Sequence, residues 1–176
     1  MLGDTGIMIG QLLSLVAVAT GFISFQMKTP KGILLFQIIT ALIFSAHYIL
    51  IDAMTAAALN FIAAIMCVAY YIRNKRGGKG LFVPIFFTLL VFITSLLTWD
   101  GIYSLFIMAG LLVNSVALSL SDPQQIRKLT LIKSPLCLIY NLCVWSAGGT
   151  VFEISVLTSA IIALVKNRKE RNGNAE

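Results

Sequence analysis

Charge is what this sequence has least of. Only 11% of its 176 residues are Asp, Glu, Lys or Arg, against roughly 25% in a soluble domain, while 59% are apolar. That balance excludes an ordinary soluble fold. The gaps between charges show why: residues 5–27, 32–51, 53–72, 80–99 and 101–121 carry none. Each is long enough for a helix to cross a hydrocarbon core of ~30 Å, which takes about 20 apolar residues at 1.5 Å apiece. Two further stretches, 129–146 and 149–165, are apolar apart from Lys133 and Glu153 respectively. Seven spans leave room for loops and ends but not for a separate globular domain.

Other shortages narrow the function. With one histidine and seven acidic residues, the chain offers neither a Ser-His-Asp arrangement nor a cluster of metal ligands, and it has no phosphate-cradling glycine loop. No enzyme, catalytic residue, metal or cofactor is expected. The three cysteines, Cys67, Cys137 and Cys143, all fall inside predicted spans, where they read as small packing residues rather than disulfides. The start of the chain carries Asp4 in place of a basic leader segment, so no cleaved signal is expected. Basic residues outnumber acidic ones by 13 to 7, but they sit in short clusters at span ends rather than along one face, so a nucleic-acid partner is not expected.

Those clusters orient the chain. With the N-terminus outside, the inside connections hold Lys28 and Lys31, then Arg73, Lys75, Arg76 and Lys79, then Arg127 and Lys128, and last Lys166, Arg168, Lys169 and Arg171. That is twelve of the thirteen basic residues, Lys133 being the exception. Asp4, Asp52 and Asp100 fall outside, as the positive-inside rule requires. Trp99 and Trp145 stand at predicted outer ends, and Tyr70 and Tyr71 at an inner one, where interfacial aromatics belong.

A shift of 93 residues lays Thr29-Pro30 over Asp122-Pro123, and Ile72 to Arg76 over Val165 to Lys169. Start and stop signals coincide without a gap. The expected fold is therefore all-α and polytopic, with seven transmembrane helices as 3+1+3 parallel triple-helix repeats, the N-terminus outside and the C-terminus in the cytoplasm. Residues 1–76 form the first repeat, 77–98 a linker and connecting helix, 99–170 the second repeat and 171–176 a cytoplasmic tail.

Pro123-Gln124, echoed by Pro30-Lys31, resembles the proline-containing loop of the PQ-loop (SWEET, MtN3-like) transporter superfamily. Within it the chain is most similar to the YgjV-type family of bacterial inner-membrane proteins, on the strength of His47-Tyr48, the stretch Ala56 to Asn60, and Gly148 to Glu153. The likeness spans nearly the whole chain. It implies a multi-pass protein of the bacterial cytoplasmic membrane that moves a small polar solute. Lys31, in place of Gln, and Glu153, in place of a second paired asparagine, depart from the sugar-transporter pattern.

Polar side chains at membrane depth carry the functional expectation, because a charge there costs about 2.5–3.5 kcal/mol even on insertion scales. Gln37, Thr40, Phe44 and His47 recur at helical spacing on the second span, and Thr130, Lys133, Cys137 and Tyr140, joined by Asn141, on the sixth. Asn60 and Glu153 hold matching positions in the two repeats. His47, Asn60, Tyr140, Asn141 and Glu153 fall at similar depth and form the expected solute site, with Glu153 and His47 able to couple transport to protons. Gln37, Thr40 and Lys133 are lining or gating candidates. At the rise of a helix Lys133 lies some 12 Å along the axis from Glu153, which favours a snorkelling lysine over an ion pair unless the helix bends at Pro135. Each has a plainer role open to it: His47 can bond a backbone carbonyl and Asn60 can glue helices together. Gly6 and Gly10 form a GxxxG pair, a candidate surface for a homo-oligomer. The rival to a transporter is a membrane sensor or scaffold that binds without translocating.

Overall fold

The computed structural model describes residues 4–26, 30–78, 80–120 and 123–173. Within them the chain forms seven helices and no strand: α1 (Asp4–Gln26), α2 (Pro30–Leu50), α3 (Met54–Lys75), α4 (Phe82–Leu97), α5 (Ser104–Ser119), α6 (Pro123–Cys143) and α7 (Ala147–Gly173). Pro30 and Pro123 are the first residues of their helices rather than loop residues, a position where the missing N–H is not needed and the fixed φ suits the helix.

Among the described residues, three segments are long and apolar enough to cross a membrane, Thr5–Ile23, Met54–Arg73 and Ala147–Lys166. Leu34–Leu50, Phe82–Leu97 and Ser104–Ser119 are shorter apolar helices. Helix α6 joins neither group, because its first turns carry Gln124, Gln125, Arg127 and Lys128.

Each helix packs on its neighbours in the order α1, α2, α3, α5, α6, α7, and α7 returns to α1, which closes a ring of six. Helix α4 lies outside the ring against α3 and α5. Small side chains make the close approaches: Ser14, Ala17, Thr55, Ala56, Ser104 and Ser115 are buried, as expected where backbones must pack without a hydrophobic drive between helices. Large apolar side chains such as Leu12, Leu35, Phe61, Leu89, Ile132 and Ile162 are exposed on the outside. Such a coat suits acyl chains and would be an aggregation surface in water.

The turns after α2 and α6 are built alike. Asp52 and Trp145, 93 positions apart, both adopt left-handed backbone, with φ 63° and 54°. Ala53 N–H donates to the Tyr48 carbonyl at 2.8 Å and Asp52 N–H to Ile49 at 3.2 Å. At the same offset Ser146 N–H donates to Asn141 at 2.9 Å and Trp145 N–H to Leu142 at 3.4 Å. Both are Schellman caps, which satisfy the orphan carbonyls of a helix end. Helix α3 closes the same way on Gly77 (φ 65°), with Gly78 N–H on the Arg73 carbonyl.

Gly10 is used within the chain. A Cβ there would stand 3.0 Å from Leu50 Cβ and 3.2 Å from Ile51, so this glycine lets α1 approach the end of α2. The GxxxG pair therefore has an intramolecular use at Gly10, and the homo-oligomer expectation gains nothing from it.

Candidate functional site

Inside the ring, α2, α3, α5, α6 and α7 line a partly open cavity of about 100 Å³. Its polar wall is Tyr48, Asn60, Asn114, Lys133, Asn141 and Glu153, and its apolar wall includes Phe44, Ile107, Leu111 and Phe152. A second cavity abuts it through Phe44, Asn60, Asn114 and Phe152 and continues along Gly21, Gln37, Thr40, Cys67 and Leu118. Those residues lie toward the ends at which α1, α3 and α5 finish and α2 begins. The two cavities thus extend away from the α2–α3 and α6–α7 turns.

Lys133 reaches Glu153. The ammonium lies 3.9 Å from Glu153 Oε1, with the two side chains 20% and 9% exposed. The snorkelling expectation is corrected: a four-carbon lysine stem covers more than one ~5.4 Å turn of helix, so the offset between backbone positions on two directly packed helices does not prevent contact. At 3.9 Å the contact is an ion pair and too long for a hydrogen bond. Glu153 Oε2 is buried with no hydrogen-bond partner among the described residues.

The amides divide their capacity. Asn60 donates from Nδ2 to the Ala56 carbonyl at 2.9 Å, and the Tyr48 hydroxyl donates to Asn141 Oδ1 at 2.5 Å. One acceptor on Asn60 and the NH₂ of Asn141 remain for a ligand. Gln37 and Thr40 line the second cavity, where the Thr40 hydroxyl bonds the Phe36 carbonyl at 2.7 Å and lies 2.8 Å from the Thr20 hydroxyl.

Two expected site residues sit elsewhere. His47 is fully buried and outside both cavity walls. Its Nδ1 lies 2.8 Å from the Gly10 carbonyl and its Nε2 2.7 Å from Ser146 Oγ. A carbonyl only accepts, so Nδ1 carries the proton and Nε2 accepts from the Ser146 hydroxyl. Ser146 Oγ in turn caps α7 by accepting from Gly149 N–H at 3.2 Å. His47 thus ties α2 to α1 and to the α6–α7 turn. Tyr140 is also fully buried, its ring packed against Tyr48 and Tyr103 at 6.3 and 6.0 Å between centroids.

The seams of the ring at this end are bridged. Gln11 donates to the Trp145 carbonyl at 2.6 Å and accepts from Ala147 N–H at 3.1 Å. A Cβ on Gly148 would overlap both the side chain and the backbone of Ser14. On the opposite seam Thr55 N–H donates to Asp100 Oδ2 at 2.8 Å, and its hydroxyl bonds the Thr98 carbonyl and lies 3.2 Å from Ser104 Oγ.

Besides Tyr48, Asn114 is the polar wall residue that sequence reasoning missed. It is the one amide in the charge-free run 101–121, a signal that was present, but its counterpart at the 93-residue offset is Gly21, so the repeat did not mark it.

These features define a multi-pass helical membrane protein with a polar cavity enclosed by its own helices. A family model described as a bacterial inner membrane protein matches residues 8–171. The chain belongs to that family, YgjV, and is a multi-pass protein of the bacterial inner membrane. No curated protein and no solved structure matches it.

Proposed function

We propose that the protein is a SWEET-like transporter of the PQ-loop type, moving a small polar solute by alternating access through the cavity between two triple-helix repeats. The carrying observation is a polar wall contributed by both halves of the chain, α2 and α3 facing α5, α6 and α7, inside a closed ring of helices. The matched caps at Asp52 and Trp145 support the parallel repeat, and the basic clusters support an outside N-terminus and cytoplasmic C-terminus. All seven helices then cross the membrane, with α4 as the connector.

In this reading Asn60, Asn114, Asn141, Lys133 and Glu153 hold the solute. Gln37 and Thr40 line its path to the cytoplasm. The Gln11, His47 and Ser146 bridges on one seam, with Thr55 and Asp100 on the other, are the outer gate. Opening that gate breaks a handful of hydrogen bonds worth about 1 kcal/mol each, a barrier that solute binding can offset. No chemistry is performed on the solute.

Reconstitution into liposomes loaded against panels of sugars, nucleosides, vitamins, amino acids and ions tests the proposal. Uptake that Asn60→Ala and Glu153→Ala abolish supports it. Tight binding with no flux for any member of the panel overturns it in favour of a sensor.

A further inference from the structure

The cavity wall carries one charge of each sign, and neither is fully used. Lys133 and Glu153 stand 3.9 Å apart, beyond hydrogen-bond distance. The ammonium therefore keeps three N–H donors for other partners, and Glu153 Oε2 is buried with none. An unsatisfied buried carboxylate oxygen on the wall of a cavity is a vacancy for a donor, and a charged donor fills it best. The lysine beside it offers the complementary place to an anion.

The site is also neutral as a whole. A ligand of net charge +1 or −1 would leave an uncompensated charge inside the membrane, which is strongly disfavoured. A ligand that carries both signs closes an alternating square of four charges and leaves no excess. Around the pair, Asn60, Asn114 and Asn141 offer amide groups that accept and donate, while Phe44 and Phe152 form an apolar wall for the rest of the molecule. The two charges stand on one side of the cavity, so the ligand must present its own two groups close together.

We infer that the solute is a small zwitterion bearing an ammonium and a carboxylate a few bonds apart, the arrangement of a free α-amino acid, with its ammonium on Glu153 and its carboxylate on Lys133. The inference rests on the cavity being the solute site, but not on transport itself.

Equilibrium binding to the purified full-length protein in nanodiscs, measured by calorimetry, decides the matter. The panel is glycine, alanine and leucine, the matched single-charge probes ethylamine, isoamylamine, acetate and isovalerate, and the uncharged probes glucose and glycerol. At least tenfold tighter binding of an amino acid than of its matched amine and carboxylate is expected. No amino-acid binding, or glucose or a single-charge probe binding as tightly, overturns the inference. Lys133→Gln should shift preference toward the amine and Glu153→Gln toward the carboxylate. If those variants do not fold, the wild-type panel decides alone. Amino-acid binding without flux would sustain this inference and sink the transporter, whereas glucose flux that amino acids do not inhibit would do the reverse.

Discussion

Asp52 and Trp145, 93 residues apart, are the non-glycine residues among those described that turn the backbone left-handed, and each ends a helix that begins with proline. For a bulky L-residue that conformation costs roughly 1–2 kcal/mol, and aspartate tolerates it better than tryptophan. Trp145 is 85% exposed, so its indole gives up little packing within the protein if removed. Trp145→Gly is therefore expected to stabilise the purified protein by about 1 kcal/mol and Asp52→Gly by less, while Trp145→Val destabilises it. Thermal denaturation in one detergent compares the three. A lower midpoint for Trp145→Gly than for Trp145→Val would contradict the cap geometry.

The Lys133–Glu153 pair makes a second, sharper expectation. Removing one partner of a buried pair leaves the other uncompensated and typically costs about 3–5 kcal/mol, while replacing both with apolar residues is often near neutral. Lys133→Met alone should therefore destabilise strongly, and adding Glu153→Leu should restore most of the loss. A double-mutant cycle on unfolding free energy checks it. Additive effects would show that the two side chains do not interact.

The helix plan was legible in the sequence because charge gaps mark apolar helices, and the prolines and basic clusters mark their ends. Which face of a helix looks inward was less so. On α2 the spacing of Gln37, Thr40, Phe44 and His47 predicts one lining surface, yet the first three line the cavities and His47 turns to Gly10 and Ser146. That parting depends on α1 meeting α7 to close the ring, a long-range contact that no local period encodes. Lys133 escaped for a different reason: axial depth locates a backbone, and a lysine ammonium travels far from it.

His47 also yields a prediction about the seam. His47→Ala leaves the Gly10 carbonyl and the Ser146 hydroxyl without the ring, at a cost of about 1–3 kcal/mol, and loosens α1 from the α6–α7 turn. Cys137 lines the first cavity, Cys67 the second, and Cys143 is exposed, so in a Cys67→Ser, Cys143→Ser background an impermeant maleimide can report on opening. In right-side-out vesicles His47→Ala should raise the rate of Cys137 labelling several-fold, and His47→Gln, which can still bond both partners, should raise it less. Equal rates in all three proteins would remove His47 from the gate.

Asn114 separates function from stability most cleanly. Asn60 holds the Ala56 carbonyl and Asn141 accepts from Tyr48, so replacing either disturbs the helices as well as the cavity. Asn114 lines both cavities and makes no hydrogen bond with the other described residues. Its removal deprives the protein of no internal bond, and Asn114→Ala should change stability by no more than about 0.5 kcal/mol, the usual range for a side chain without such partners. A ligand in the cavity loses a donor and an acceptor at once, and a lost polar contact of about 1.4 kcal/mol weakens binding tenfold. Binding weakened by about an order of magnitude with an unchanged melting midpoint is the expected pair of results for Asn114→Ala. Unchanged binding would place the ligand away from the region that the two cavities share.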